Sequence, residues 1–133
     1  MKKFKLLEWI PLEKLNWNNL SLNPNAIELL KEHPENIRWD YLAGCTNDID
    51  FLIENCKNHN IWYWLSENPN DKAIELLIQN QEKIDWYYLS GNPNDKAIEL
   101  LLKNPGKINW NMLLENPNDK AIELLIENQE KID

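Results

Sequence analysis

The segment Asn68-Pro69-Asn70-Asp71-Lys72-Ala73-Ile74-Glu75-Leu76-Leu77 returns 24 positions later at Asn92 to Leu101, and 24 later again at Asn116 to Leu125. A second landmark, I-x-W-x-x-L, keeps the same spacing at Ile84, Trp86, Leu89 and at Ile108, Trp110, Leu113. A repeat this short is one supersecondary unit that cannot bury its apolar face alone, so copies must stack on one another.

Upstream the repeat shortens. Asn23-Pro24-Asn25-Ala26-Ile27-Glu28-Leu29-Leu30 lacks the Asp-Lys pair, and Leu15, Trp17, Leu20 recur as Ile37, Trp39, Leu42 after 22 positions. The next unit diverges most. Cys45-Thr46-Asn47-Asp48-Ile49-Asp50-Phe51-Leu52 replaces the N-P-N-A-I-E-L-L stretch, and Trp62 and Leu65 follow Trp39 and Leu42 by 23 positions. The chain reads as a single repeat domain over 1–133. A cap occupies 1–14, and units follow at about 15–36, 37–59, 60–83, 84–107 and 108–131. The last unit is incomplete, because Lys131-Ile132-Asp133 matches Lys83-Ile84-Asp85 without the tryptophan that follows there.

Each unit predicts two short helices, which makes the fold class all-α, an α-solenoid of helix pairs. Asn68 suits an N-cap and Pro69 the first helical position. That helix runs to about Gln79, with Asn80 (Asn104 in the next unit) as a left-handed cap. A shorter helix follows from Trp86 to Ser90, capped by Asp85. On the longer helix Ala73, Ile74, Leu76, Leu77 and Ile78 span an apolar arc of about 200°. That is too wide for one buried face, and Lys72, Glu75 and Gln79 fill the rest.

Composition narrows the function classes. The 133 residues suit one domain. Three glycines leave little material for phosphate loops, and no dinucleotide, P-loop or metal motif occurs. The net charge of −8 opposes binding to nucleic-acid phosphates or anionic membranes. The densest basic run, Lys2, Lys3 and Lys5, precedes no apolar stretch, so neither a signal peptide nor a membrane span is expected and the reading is cytosolic. Cys45 and Cys56 read as free thiols rather than a disulfide or a zinc pair. His33 falls near a helix end as a polar cap, and His59 in an exposed loop. Glu75, Glu99 and Glu123 recur with the repeat and read as a solvated face, not as paired catalytic carboxylates. No catalytic, cofactor-binding or metal-ligating residue is assigned.

Seven tryptophans are many for this length. Trp17, Trp39, Trp62, Trp86 and Trp110 occupy one column, which core packing explains, and Trp9 is expected to cover the open end of the first unit. Two positions after each column tryptophan vary. The first reads Asn18, Asp40, Tyr63, Tyr87, Asn111, and the second reads Asn19, Tyr41, Trp64, Tyr88, Met112. Both should point away from the core, the second lying about 200° from the tryptophan. Tyr41, Tyr63, Trp64, Tyr87, Tyr88 and Met112 therefore predict an interaction stripe, since Tyr, Trp and Met are enriched at interface cores.

N-P-N-A-I-E-L-L followed by I-x-W-x-x-L resembles a repeat found in many paralogous proteins of giant DNA viruses of the Mimivirus type. The resemblance covers about Leu15 to Asp133, and Leu7 to Leu15 also resembles the start of such proteins. It implies a viral protein in an infected cell's cytoplasm with an interaction role, and it brings no catalytic or ligand residues. The expected function is a non-catalytic scaffold for an unknown protein partner. The alternatives are a structural protein that self-assembles through its incomplete last repeat and, third, single-stranded RNA binding, which the charge opposes.

Overall fold

The computed structural model describes residues 10–56 and 59–132. Trp9, Lys2, Lys3, Lys5 and Asp133 lie outside the described residues. The fold is an all-α repeat fold, with ten α-helices and no strand among the described residues. The chain divides into two compact units, Met1–Ile61 and Trp62–Asp133.

In the first unit, α1 (Trp17–Ser21) packs on α2 (Ile27–Glu32) and α3 (Trp39–Cys45), and α3 packs on α4 (Ile49–Asn55). In the second, α5 (Trp62–Glu67), α7 (Trp86–Ser90) and α9 (Trp110–Leu114) stack side by side as one layer. The longer helices α6 (Asp71–Gln79), α8 (Asp95–Lys103) and α10 (Asp119–Glu127) stack as the other. Between the layers Leu65, Ala73, Ile74, Leu77, Leu89, Ala97, Ile98, Leu101 and Leu113 are all fully buried. The helices α6 and α8 thus present Ala-Ile-x-x-Leu to the core, α10 presents Ala121 and Leu125, and burying side chains of this size is the main stabilising term.

Three local expectations are corrected. The long helix is capped by Asn70, whose side chain accepts from the Lys72 N–H, so Asn68 and Pro69 precede the helix. Asn68 accepts from the Asn70 N–H instead, an Asx turn that aims the chain into the cap. Asn80 is not left-handed. It takes φ −134° and ψ 53°, and no described non-glycine residue has positive φ. Its amide donates to the Leu76 carbonyl at 2.9 Å, satisfying the helix end with a side chain, as Asn104 and Asn128 do on Leu100 and Leu124. The apolar arc is also narrower than expected: Ile78, Leu102 and Ile126 are exposed, because the neighbouring long helices cover only the Ala-Ile-Leu side.

The tryptophan column is half-buried rather than core, and from the second repeat on the leucine three residues later (Leu42, Leu65, Leu89, Leu113) takes the buried place. Trp is the first residue of each short helix, at the edge of its layer, and in three repeats its ring meets the segment that closes its own repeat. Trp17 faces His33 at 5.5 Å between ring centroids, Trp39 faces His59 at 6.0 Å, and Lys83 Nζ sits 4.4 Å above the Trp62 ring.

What holds one repeat on the next is polar, and buried. Asn92 is fully buried, and its amide donates to the carbonyls of Ser66 and Asn68 in the repeat before it, both at 2.9 Å. Asn116 does the same to Ser90 and Asn92. The serine ending each short helix makes a second link. Ser66 Oγ donates to the Trp62 carbonyl and accepts from the Asp85 N–H of the next repeat, and Ser90 bridges Trp86 and Asn109 likewise. Within the first unit Ser21 bridges Trp17 and Arg38. There the asparagine position is taken by Cys45, whose thiol donates to the Ser21 carbonyl at 3.3 Å. The divergent repeat keeps its place by replacing an amide donor with a sulfhydryl. Cys45 and Cys56 are both free.

Candidate interaction surface

The short helices carry the two variable columns, and their geometry decides what the columns can do. A helix of five or six residues makes little more than one turn, so the residues one and two places after the tryptophan lie on different sides. The first column is the more open. Tyr63 is 36% exposed and Tyr87 48%. Trp64, Tyr88 and Met112 of the second column are half-buried, which corrects the expectation that both columns point away from the core.

The physical reason is that a second-column side chain reaches back over the preceding repeat. The Tyr88 ring lies against Tyr63 with centroids 4.0 Å apart, and the two hydroxyls share a hydrogen bond. Met112 folds into the space left by Gly91, its Cε 3.0 Å from where a Cβ would stand. Edge-on contacts complete the cluster, Tyr63 with Trp64 and Tyr87 with Tyr88, each at 5.0 Å. The second unit therefore brings Tyr63, Trp64, Tyr87 and Tyr88 together as one continuous aromatic surface, flanked by Met112. Tyr41 belongs to the first unit, where it is half-buried under the Arg38 guanidinium, 4.7 Å from its ring centre.

The electrostatics around the surface are acidic. Asp85 caps α7 through one carboxylate oxygen, which accepts from the N–H groups of Tyr87 and Tyr88. The shared hydrogen bond with Tyr63, partial burial and the nearby carboxylates of Asp85 and Glu67 push the Tyr88 hydroxyl up to about 12. The Tyr88 hydroxyl consequently stays neutral at physiological pH. Residues 62–133 hold seven lysines against thirteen carboxylates, so most of the negative excess lies in this unit. Lys96 and Lys120 are committed to stacking: Lys96 pairs with Asp71 and Glu75, and Lys120 with Asp95.

Two expectations about Asn and Lys need restating. Asn94, Lys96, Asn118 and Lys120 recur in the N-P-N-D-K string, whose first asparagine is expected as a cap and whose lysine is expected on the polar face. Asn94 and Asn118 also donate to the carbonyl and carboxylate of the preceding repeat, on Pro69 with Asp71 and on Pro93 with Asp95. The string is thus a stacking device as well as a helix start. A signal for this was present, since all five residues of the string recur unchanged in three copies although capping alone requires only one asparagine.

Among the described residues no group of three or more His, Cys, Asp and Glu could hold a metal ion. No described helix is long and apolar enough to cross a membrane. The fold and surface together define an all-α repeat protein with polar inter-repeat staples and an aromatic patch on its short-helix layer. No family model matches the chain, and no curated protein or solved structure is similar to it at a significant level.

Proposed function

We propose that the protein is a non-catalytic scaffold that binds a protein partner through the aromatic surface of its second unit. The observation that supports this best is the division of labour within the repeat. Stacking is carried chiefly by Asn92, Asn116, Ser66, Ser90 and the leucine column, whereas Tyr87 remains open and Tyr63, though its ring meets Tyr88 of the next repeat, stays 36% exposed. Large rings left accessible and contiguous mark interaction sites, and Tyr and Trp dominate binding hot spots. The resemblance to giant-virus repeat proteins supports a setting in the cytoplasm of an infected cell.

The test compares affinity capture from infected cells by the native chain and by a Tyr63→Ala, Tyr87→Ala variant, read by mass spectrometry. The variant keeps its helical circular dichroism and loses the partner. Equal capture by both chains sinks the aromatic reading.

One observation favours a second reading, self-assembly. Ile122 occupies the position of Ile74 and Ile98, which are fully buried, yet it is 48% exposed, and Leu114, the last residue of α9, is 51% exposed. The outer side of α9 and α10 thus offers another copy the surface that repeats elsewhere offer each other.

A further inference from the structure

The aromatic surface has a counterpart inside the chain that shows what its chemistry selects. In the first unit, Arg38 immediately precedes the column tryptophan Trp39. Its guanidinium lies over the Tyr41 ring and binds the Asp40 carboxylate in fork geometry, Nε to Oδ1 at 3.2 Å and Nη2 to Oδ2 at 2.9 Å. A ring and a carboxylate thus hold one planar cation at the second-column position. In the second unit the corresponding ring is Tyr88, and the position of Arg38 is taken by Asp85. Tyr87 stands in the place of Asp40, so a ring and a carboxylate are both present, the carboxylate at the cation's own position, and the cation is missing. Among the described residues neither Asp85 nor Glu67 has a lysine or arginine partner.

We infer that the aromatic surface takes an arginine side chain from a basic segment of the partner, seated on the Tyr63, Tyr87 and Tyr88 rings and neutralised by Asp85 and Glu67. This rests on the reading of that surface as the binding face and adds the chemistry of the ligand. Three features converge on it. The exposed rings offer π-faces, on which a cation is attracted by the ring quadrupole. Asp85 spends one oxygen on its helix cap and keeps the other for a donor. The unit's excess of carboxylates steers a basic segment toward it and repels an acidic one. Arginine fits better than lysine because its guanidinium is planar, weakly hydrated, and able to stack on a ring while forking to a carboxylate.

The test is selection of a random 12-residue peptide library displayed on phage against the full-length chain, with the Tyr63→Ala, Tyr87→Ala variant as counter-target. Enriched peptides are then synthesised and titrated by fluorescence anisotropy. The expected result is arginine-containing peptides that lose binding about tenfold or more on Tyr87→Ala and on Asp85→Asn with Glu67→Gln. Arginine-to-lysine replacement in the peptide should weaken it as well. Asp85→Asn is a fair probe of charge because asparagine caps the same helix position at Asn16 and Asn109. Circular dichroism and urea midpoint should stay unchanged. Enriched peptides without basic residues that still need Tyr63 and Tyr87 would overturn the arginine inference and leave the aromatic surface standing. Enrichment that ignores the tyrosines, or none at all, would overturn both. Lysine and arginine peptides bound equally and insensitive to Tyr87→Ala would reduce the attraction to net charge, which also overturns the inference.

Discussion

A buried carboxamide is tolerable only when its donors and acceptor are all satisfied, and Asn92 meets that condition with three hydrogen bonds. It donates to the carbonyls of Ser66 and Asn68 and accepts from the Asn94 N–H. Removing it leaves two buried carbonyls of the preceding repeat without that donor, a loss of about 1–3 kcal/mol by the usual desolvation cost. Asn92→Ala should therefore lower the unfolding free energy by about 1–3 kcal/mol in urea titration, whereas Asn94→Ser, which keeps a cap acceptor for α8 and removes only the exposed bonds to Pro69 and Asp71, should cost under about 1 kcal/mol. Equal losses would mean the buried ladder is no more important than the surface one. Cys45, standing in the same column of the first unit, makes a second residue-scale prediction. Burial pushes its thiol up to about 11, so at pH 8 the thiolate fraction is on the order of 0.1%. Cys56 is raised by burial too. Both thiols should react with a disulfide reagent far more slowly in the native chain than in urea, and an equally fast native reaction would contradict the packing around Ser21 and Leu52.

At the scale of the element, the short helices are too brief to persist alone, since isolated helices of this length are marginal in water. Their stability comes from neighbours, and part of that support depends on pH. In the second unit Asp71 is held below the ordinary carboxylate value by the Asn94 amide and Lys96, and Asp95 by the Asn118 amide and Lys120. A carboxyl whose folded pKa is depressed stabilises the fold above its unfolded pKa and loses that contribution as pH falls through the folded one. The unfolded reference lies near 3.8. The urea midpoint should accordingly be flat from neutral pH to about pH 5 and fall below about pH 4. Asp71→Asn with Asp95→Asn should lessen that acid decline while keeping an acceptor for each asparagine. An unchanged decline would place the acid sensitivity in other carboxylates. The groups are solvent-exposed, so the effect should be modest and screened by salt.

At the scale of the molecule, the question is whether copies associate. Ile74 and Ile98 are covered by the repeat that follows each, and Ile122 is not. If the outer side of α9 and α10 takes a second copy, light scattering should show mass rising with concentration above the single-chain 15.9 kDa. Ile122→Glu should then return the protein to that value with little loss of stability, because the position is exposed. A constant 15.9 kDa in the native chain would exclude self-assembly and leave the scaffold reading alone.

The 24-residue recurrence by itself determined the all-α class, the pairing of a short with a long helix, and the leucine column at Leu65, Leu89 and Leu113. These follow from apolar spacing along one helix, which is a local property. It also brought the aromatic candidates forward, because aligning repeats separates fixed from variable positions. What only the tertiary structure decided lies between repeats. Pattern could not show that Asn92 and Asn116 hold the preceding repeat, since a carboxamide beside proline reads equally well as a cap. Nor could it rank the two variable columns. Tyr87 stays open while Tyr88 folds onto Tyr63 because the spacing of stacked helices brings the second column within reach of the repeat before it. The same spacing turned the tryptophans from core into cover, with the Trp17, Trp39 and Trp62 rings lying on the segments that close their own repeats.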